Sequence, residues 1–225
     1  HAFMDDVFGV VTIMAIAKAM IEAGYQPEHN IVFIAFGSEE YGTTSSHYDW
    51  CTGVWNQINN CRPEWVGKNI CHLEMDSVRP DANTYIVNAT PELHTFFAEF
   101  LNGIQPPKDP YVNGAMLKSQ NGPWGQDYDM EIAGVPGLCA GKTGDSQWKL
   151  YHYHTNSSSP ENDWNPPVFD WVSEQYARML LAFDACTICP LDFTTTGTQV
   201  LESFDPAMCA DAAAATAYTD AIKKL

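Results

Sequence analysis

The sequence predicts an α/β fold, a central, mostly parallel or mixed β-sheet with helices on both faces. Two observations carry this. Apolar runs of strand length alternate with helix-periodic segments, the pattern of a sheet covered by helices. A chain of 225 residues with 45% hydrophobic content gives one domain with an ample core.

Each element follows from local pattern. Residues 7–23 carry apolar side chains at Val10, Val11, Ile13, Met14, Ile16, Ala17, Met20 and Ile21. That spacing is helical, with Gly24 as the C′ residue and Pro27 as the breaker. Residues 31–37 form a continuous apolar run, expected of a central strand. Residues 45–57 read as helix, 70–75 as the next strand, ending at Asp76, and 85–88 as a short strand. Thr90 caps a helix over 91–103. Residues 104–130, rich in Pro, Gly, Asn and Asp, read as a long loop. Residues 133–140 are a strand and 166–185 an amphipathic helix. Residues 187–204 are an extended connection, and Asp205-Pro206 opens a terminal helix to Lys224. The expected organisation is one domain over 1–225, with 187–225 as a C-terminal extension.

Composition limits the partners. Net charge is −17, from 28 acidic and 11 basic residues, which disfavours nucleic acid and anionic membranes. No apolar run approaches the roughly 20 residues of a membrane span. Seven cysteines are many for a cytosolic enzyme. Cys186-x-x-Cys189 has no second such pair, so a zinc ribbon is disfavoured. Cys139 reads as a buried, unbridged thiol. Cys51, Cys61, Cys71, Cys186, Cys189 and Cys209 are available for disulfides whose pairing stays open. The triplets Asn88-Ala-Thr90 and Asn156-Ser-Ser158 are glycosylation sequons. The expected location is extracytoplasmic, secreted or periplasmic. No signal peptide is visible, so the chain reads as mature or trimmed.

Glu39-Glu40 closes the run over 31–37. Adjacent carboxylates at the end of a core strand are costly unless a metal or a substrate compensates them. Asp5-Asp6 is a second acidic pair at the start of the first helix. Asp76 ends another strand, and His152 and His154 sit near the loop after the last sheet strand. In α/β sheets ligands bind beyond the carboxyl ends of the strands, where Glu39, Glu40 and Asp76 fall. The set reads as an oxygen-and-imidazole metal cage, and the chemistry as a metallohydrolase with a non-ligand carboxylate as proton carrier. Competing readings stand beside it. Asp5 and Asp6 suit helix caps, His152 competes with His154, and His1 is a substitute ligand. His29, His47, His72 and His94 read as structural or exposed. Trp124, Trp148 and Tyr151 read as pocket wall or core.

Several segments together resemble a known family. Ala2-Phe-Met-Asp-Asp-Val-Phe-Gly-Val10, the helix end Ala23-Gly-Tyr-Gln-Pro27, and Ile31-Val-Phe-Ile-Ala-Phe-Gly-Ser-Glu-Glu-Tyr-Gly42 are similar to the co-catalytic di-zinc exopeptidases. That family includes secreted bacterial aminopeptidases, plasma glutamate carboxypeptidase and glutaminyl cyclase. Leu73-Glu-Met-Asp76, Gln126-Asp127 with Ile132-Ala-Gly-Val-Pro136, and Tyr153-His154-Thr155 resemble its later motifs. The likeness runs in order from residue 1 to about 185. It implies a zinc aminopeptidase-like sheet, a peptide substrate and two zinc ions. Asp5 would bridge the metals, Glu40 and His154 complete one site, and Asp76 serve the other. Glu39 would be the general acid/base, working beside a metal-bridging hydroxide. Tyr153 would steady the oxyanion, and Asp127 would stand behind the ligands or line the pocket.

The chain departs from the family in lacking a His-x-Asp motif before Asp5 and the family's first strands, and in carrying Ser158 four residues after His154 in place of Asp. The resemblance therefore implies that a preceding segment or a second chain supplies a metal histidine. The implied activity is removal of N-terminal residues from peptides. Carboxypeptidase or glutaminyl cyclase chemistry, and a catalytically inactive binding or receptor domain, stay open as alternatives.

Overall fold

A computed structural model of the chain describes residues 3–42, 50–76, 78–119, 126–140 and 146–224. His1, His47, Trp124 and the side chain of Asp127 lie outside what is described.

The chain enters through an irregular turn over Phe3–Val7 and runs into helix α1, Phe8–Glu22. Gly24 ends it at φ +65°. There the Gly24 N–H donates to the Ile21 carbonyl at 3.0 Å and the Tyr25 N–H to the Met20 carbonyl at 2.9 Å, a glycine-terminated stop. Asp184 then anchors the following turn. It accepts from the Tyr25 hydroxyl at 2.5 Å, the Glu28 N–H at 3.1 Å and the His29 N–H at 2.9 Å.

Four strands make the sheet: β1 (His72–Glu74), β2 (Tyr85–Ala89), β3 (Ala115–Ser119) and β4 (Gly137–Ala140), in the order β1-β4-β2-β3. β1/β4 and β2/β3 are parallel and β2/β4 antiparallel, so the sheet is mixed. β2 is buried at every position, as a strand paired on both edges and covered by helices should be. Helix α3 (His94–Asn102) packs on β3, α4 (Gln126–Ile132) lies against β1 and β4, and α7 (Pro166–Asp184) supplies much of the core. Val168, Phe169, Val172, Tyr176, Met179 and Phe183 of α7 are buried with Tyr85, Val87, Leu138 and Phe97. Tyr176 ties α7 to the sheet. Its hydroxyl accepts from the Ala140 N–H at 2.9 Å and donates to the Glu74 carbonyl, fixing the ends of β1 and β4 together.

Several expectations are corrected. The run over 31–37 forms no strand, and Val32 and Phe33 are 59% and 39% exposed. An apolar run becomes a strand only where a neighbour takes up its backbone groups; near this run the described bridges are those from Glu39 and Tyr41 to Cys51. The loop expected over 104–130 contains β3 and α4, hidden by the Pro- and Gly-rich residues around them. The extended connection expected over 187–204 contains helix α8, Thr194–Ser203. Its Thr196 hydroxyl reaches Glu92 at 2.9 Å and Gln199 reaches Ser119 at 2.7 Å, so tertiary docking overrides a weak local propensity. Thr90 does not cap the next helix. Its hydroxyl accepts from the Gly137 N–H at 3.3 Å instead, and residues Pro91–Leu93 form a tight turn before α3.

The helix expected over 45–57 is described only in part, as α2, Thr52–Asn56, continuing into a turn to Cys61. The remaining helices are α5 (Gln147–Tyr151), α6 (Pro160–Asp163) and α9 (Ala212–Ile222). Asn88 is 1% exposed in β2, so its sequon offers no glycan acceptor in the folded chain; Asn156 is exposed.

Candidate metal centre

The centre assembles from three segments that sequence separates. The first is the turn before α1. Met4 is buried, and its N–H donates to the Ser158 hydroxyl at 3.4 Å. That contact joins the Asp5 segment to the loop carrying His154. Asp6 turns back to accept from the Gly9 N–H at 3.1 Å, so the cap reading fits it. A side chain at position 9 would meet Asp6 Oδ2 at 2.2 Å and the Met75 carbonyl at 2.5 Å. Only glycine lets α1 approach this closely.

The second segment is Glu39–Tyr41. Both Glu39 and Tyr41 bridge to Cys51, which is 1% exposed, and the Thr52 N–H donates to the Tyr41 carbonyl at 3.0 Å. The start of α2 therefore grips the acidic pair.

The third segment is the loop after α5. Asp163, 3% exposed, organises it: Oδ2 accepts from Trp148 Nε1 and from the Ser159 N–H, both at 3.2 Å, and Oδ1 bonds His152 Nδ1. His152 is thus held in the loop's own framework, which leaves His154 as the imidazole turned to the acidic segments. Trp148 is 3% exposed and belongs to the core, whereas Tyr151 is 65% exposed.

The three segments converge on one nitrogen. His154 Nε2 lies 3.0 Å from Asp5 Oδ2 and 3.3 Å from Glu40 Oε1. Zinc holds nitrogen and oxygen at about 2.0–2.2 Å, so ligand atoms on a tetrahedral edge stand roughly 3.3–3.5 Å apart. Both separations are near that edge, and the donor types suit zinc. Among the described residues no group of three or more His, Cys, Asp or Glu side chains is arranged as a finished cage; the two carboxylates instead close directly on the imidazole. Glu40 and His154 both adopt left-handed backbone, each with φ 56°. For non-glycine residues this costs on the order of 1 kcal/mol or more and persists where the surroundings impose it, often at functional sites.

Tyr153 reports the wider field. Its ring stacks on His154 at 3.8 Å between centroids. Burial, then Asp5, Glu40, Asp76 and Glu39, push its phenol up to about 12. The four carboxylates picked from the sequence therefore act on one hydroxyl. Asp6 feels the same crowding. Burial, then Asp76, raise its carboxyl to about 9, with Asp5 and Glu74 adding to the shift and the Gly9 N–H opposing it.

Sequence reasoning missed several residues here. Glu74 is 4% exposed at the end of β1. It stands two residues before Asp76, a spacing that puts side chains on one side of a strand, and both carboxylates act on Asp6; that spacing was a usable signal. Arg79 brings a cation beside Tyr153 and Asp76, its guanidinium lowered by burial. Asp129 on α4 is pushed up to about 7 by burial and then by Glu74. No local pattern marks Asp163.

Carboxylates and an imidazole gathered at the end of a mixed sheet are the equipment of a metal-dependent hydrolase. The chain belongs to peptidase family M28, whose model matches residues 2–179. The protein is therefore a metallopeptidase of a family of co-catalytic zinc exopeptidases. A comparison with curated proteins finds no match.

Proposed function

We propose that the protein is an aminopeptidase, removing N-terminal residues from peptides outside the cytoplasm. Asp5, Glu40 and His154 would hold one zinc ion, and Asp5 with Asp76 the second. The observation that carries this is the meeting of Asp5 and Glu40 on His154 Nε2, at 3.0 and 3.3 Å. Zinc, when bound, would act as a Lewis acid on the scissile carbonyl and make a water acidic enough to attack near neutral pH.

The chain's own residues do the rest. Glu39, beside the ligand Glu40, takes the proton of the attacking water and returns it to the leaving amine. Tyr153, kept neutral by its raised pKa, donates a hydrogen bond to the oxygen on which negative charge develops. The surplus of carboxylates favours a substrate's N-terminal ammonium over a C-terminal carboxylate. Arg79 beside Tyr153 is the feature that favours a second reading, carboxypeptidase, because a guanidinium pairs with a carboxylate. Three substrates separate the activities: a free-amino aminoacyl anilide, an N-blocked peptide with a free carboxyl end, and a peptide beginning with glutamine. The proposal requires cleavage of the first, abolished by chelation. Turnover confined to the second or third would replace it with carboxypeptidase or cyclase chemistry.

A further inference from the structure

Three cysteines, Cys71, Cys186 and Cys189, lie near where the chain leaves α7. Cys186 Sγ turns back along the helix to the Ala182 carbonyl at 3.2 Å. Cys189 Sγ lies 3.4 Å from the carbonyl oxygen of Ile70, the residue before Cys71. A carbonyl oxygen and the next Cα are about 2.8 Å apart across a trans peptide, so Cys189 Sγ lies within about 6 Å of the Cys71 Cα. Cys71 Sγ contacts the His72 carbonyl at 3.4 Å. Burial, then Cys189, push the Cys71 thiol well up, while burial, then Cys186, raise Cys189. Both residues are half-buried.

The position has consequences. Cys71 immediately precedes β1, the strand that carries Glu74 and leads to Asp76. Cys189 lies beyond residue 179, where the family match ends. We propose that Cys71 and Cys189 form a disulfide that staples the C-terminal extension to the base of β1. The structure holds both as thiols, and the bond requires their side chains to rotate toward each other with the two Cα atoms within about 7 Å. Cys186, aimed back at Ala182, stays outside the bond.

The oxidant is a low-molecular-weight disulfide such as oxidised glutathione. Cys189 attacks one of its sulfurs, forming a mixed disulfide and releasing one glutathione thiol with the Cys189 proton. Cys71 then attacks Cys189 Sγ, and the second glutathione leaves with the Cys71 proton. Two protein thiols become one disulfide, and one glutathione disulfide becomes two thiols. The bond closes a long loop between distant parts of the chain, the case in which a cross-link restricts the unfolded state most.

The test is a disulfide map of the full chain, and it reads covalent linkage alone, whatever the peptidase activity. The protein is equilibrated with oxidised glutathione, alkylated under denaturing conditions and digested without reductant. The expected result is a cross-linked pair of peptides carrying Cys71 and Cys189, with Cys186 alkylated. Cys71→Ser should abolish that pair and lower the oxidised protein's thermal midpoint by roughly 10 °C, and Cys186→Ser should preserve both. The map of the unaltered chain decides the matter even where a variant fails to fold. Alkylation of Cys71, a Cys186–Cys189 link, or a link between two chains would overturn the proposal.

Discussion

Replacing Asp163 by alanine should loosen the loop that presents His154 without touching any group proposed to meet zinc. The carboxylate is 3% exposed and serves three donors: Trp148 Nε1 and the Ser159 N–H at 3.2 Å, and His152 Nδ1. Stranding a buried donor costs about 1–3 kcal/mol. Some water will enter the space left, so the expected loss is about 3–5 kcal/mol, a fall of roughly 10–15 °C in thermal midpoint for a chain of this size. Residues that orient a metal ligand without touching the metal typically change its affinity by about 10–100-fold, and zinc affinity should weaken on that scale. Asp163→Asn supplies the control. Its oxygen can keep Trp148 and Ser159 while its amide donates to His152 Nδ1, so it should retain most of the stability. The assay is calorimetric unfolding together with competitive zinc titration. A loss under about 1 kcal/mol for the alanine variant, with zinc affinity unchanged, would refute the role given to Asp163.

Other outcomes follow from the same geometry. Glu39→Gln should keep zinc but lower kcat by roughly 10²–10⁴-fold, whereas Glu40→Gln should weaken zinc binding; the reverse pattern in metal content and kinetics would show the pair assigned backwards. Asp129 is held at about 7 in the folded chain, above its unfolded value near 3.9. The folded state therefore keeps a proton that the unfolded state has lost, and stability should fall as pH rises from about 4 to 7. Asp129→Asn should flatten that slope and raise the melting midpoint at pH 7.5; an unchanged slope in thermal scans would count against it. Gly9→Ala places a methyl group against Asp6 and the Met75 carbonyl. It should cost several kcal/mol in denaturant unfolding, since backbone on one side cannot yield, and a neutral effect would contradict the packing.

Much of the sheet and of the centre was legible because periodicity and charge mark them locally. The strand ending at Asp76, the long helix after Pro166 and the acidic pairs all stand out against their neighbours. The run over 31–37 misled because hydrophobicity reports what a segment could pair with, and its pairing depends on distant chain. β3 and α8 were missed for the complementary reason: Lys118 in a short edge strand and the Thr-rich start of α8 have weak local signals, and contacts with β2, Glu92 and Ser119 decide their shape. Resemblance to a family assigned Asp5, Glu40 and His154 to one site, and the structure sets both carboxylates beside His154 Nε2. The cap by Asp6 on the Gly9 N–H spans three residues and is a local pattern, whereas the approach of Arg79 to Tyr153 and the bonds from Asp163 to Trp148 and His152 needed the fold, because no local pattern marks them.

In the proposed centre, Asp5, Glu40 and His154 share one zinc ion. Crystals grown with zinc and measured on both sides of its absorption edge test this directly. An anomalous peak is expected about 2.0–2.2 Å from His154 Nε2 and from oxygens of Asp5 and Glu40. A zinc-saturated crystal with no peak there, or with zinc held by other residues while His154 stays paired to the carboxylates, would contradict it.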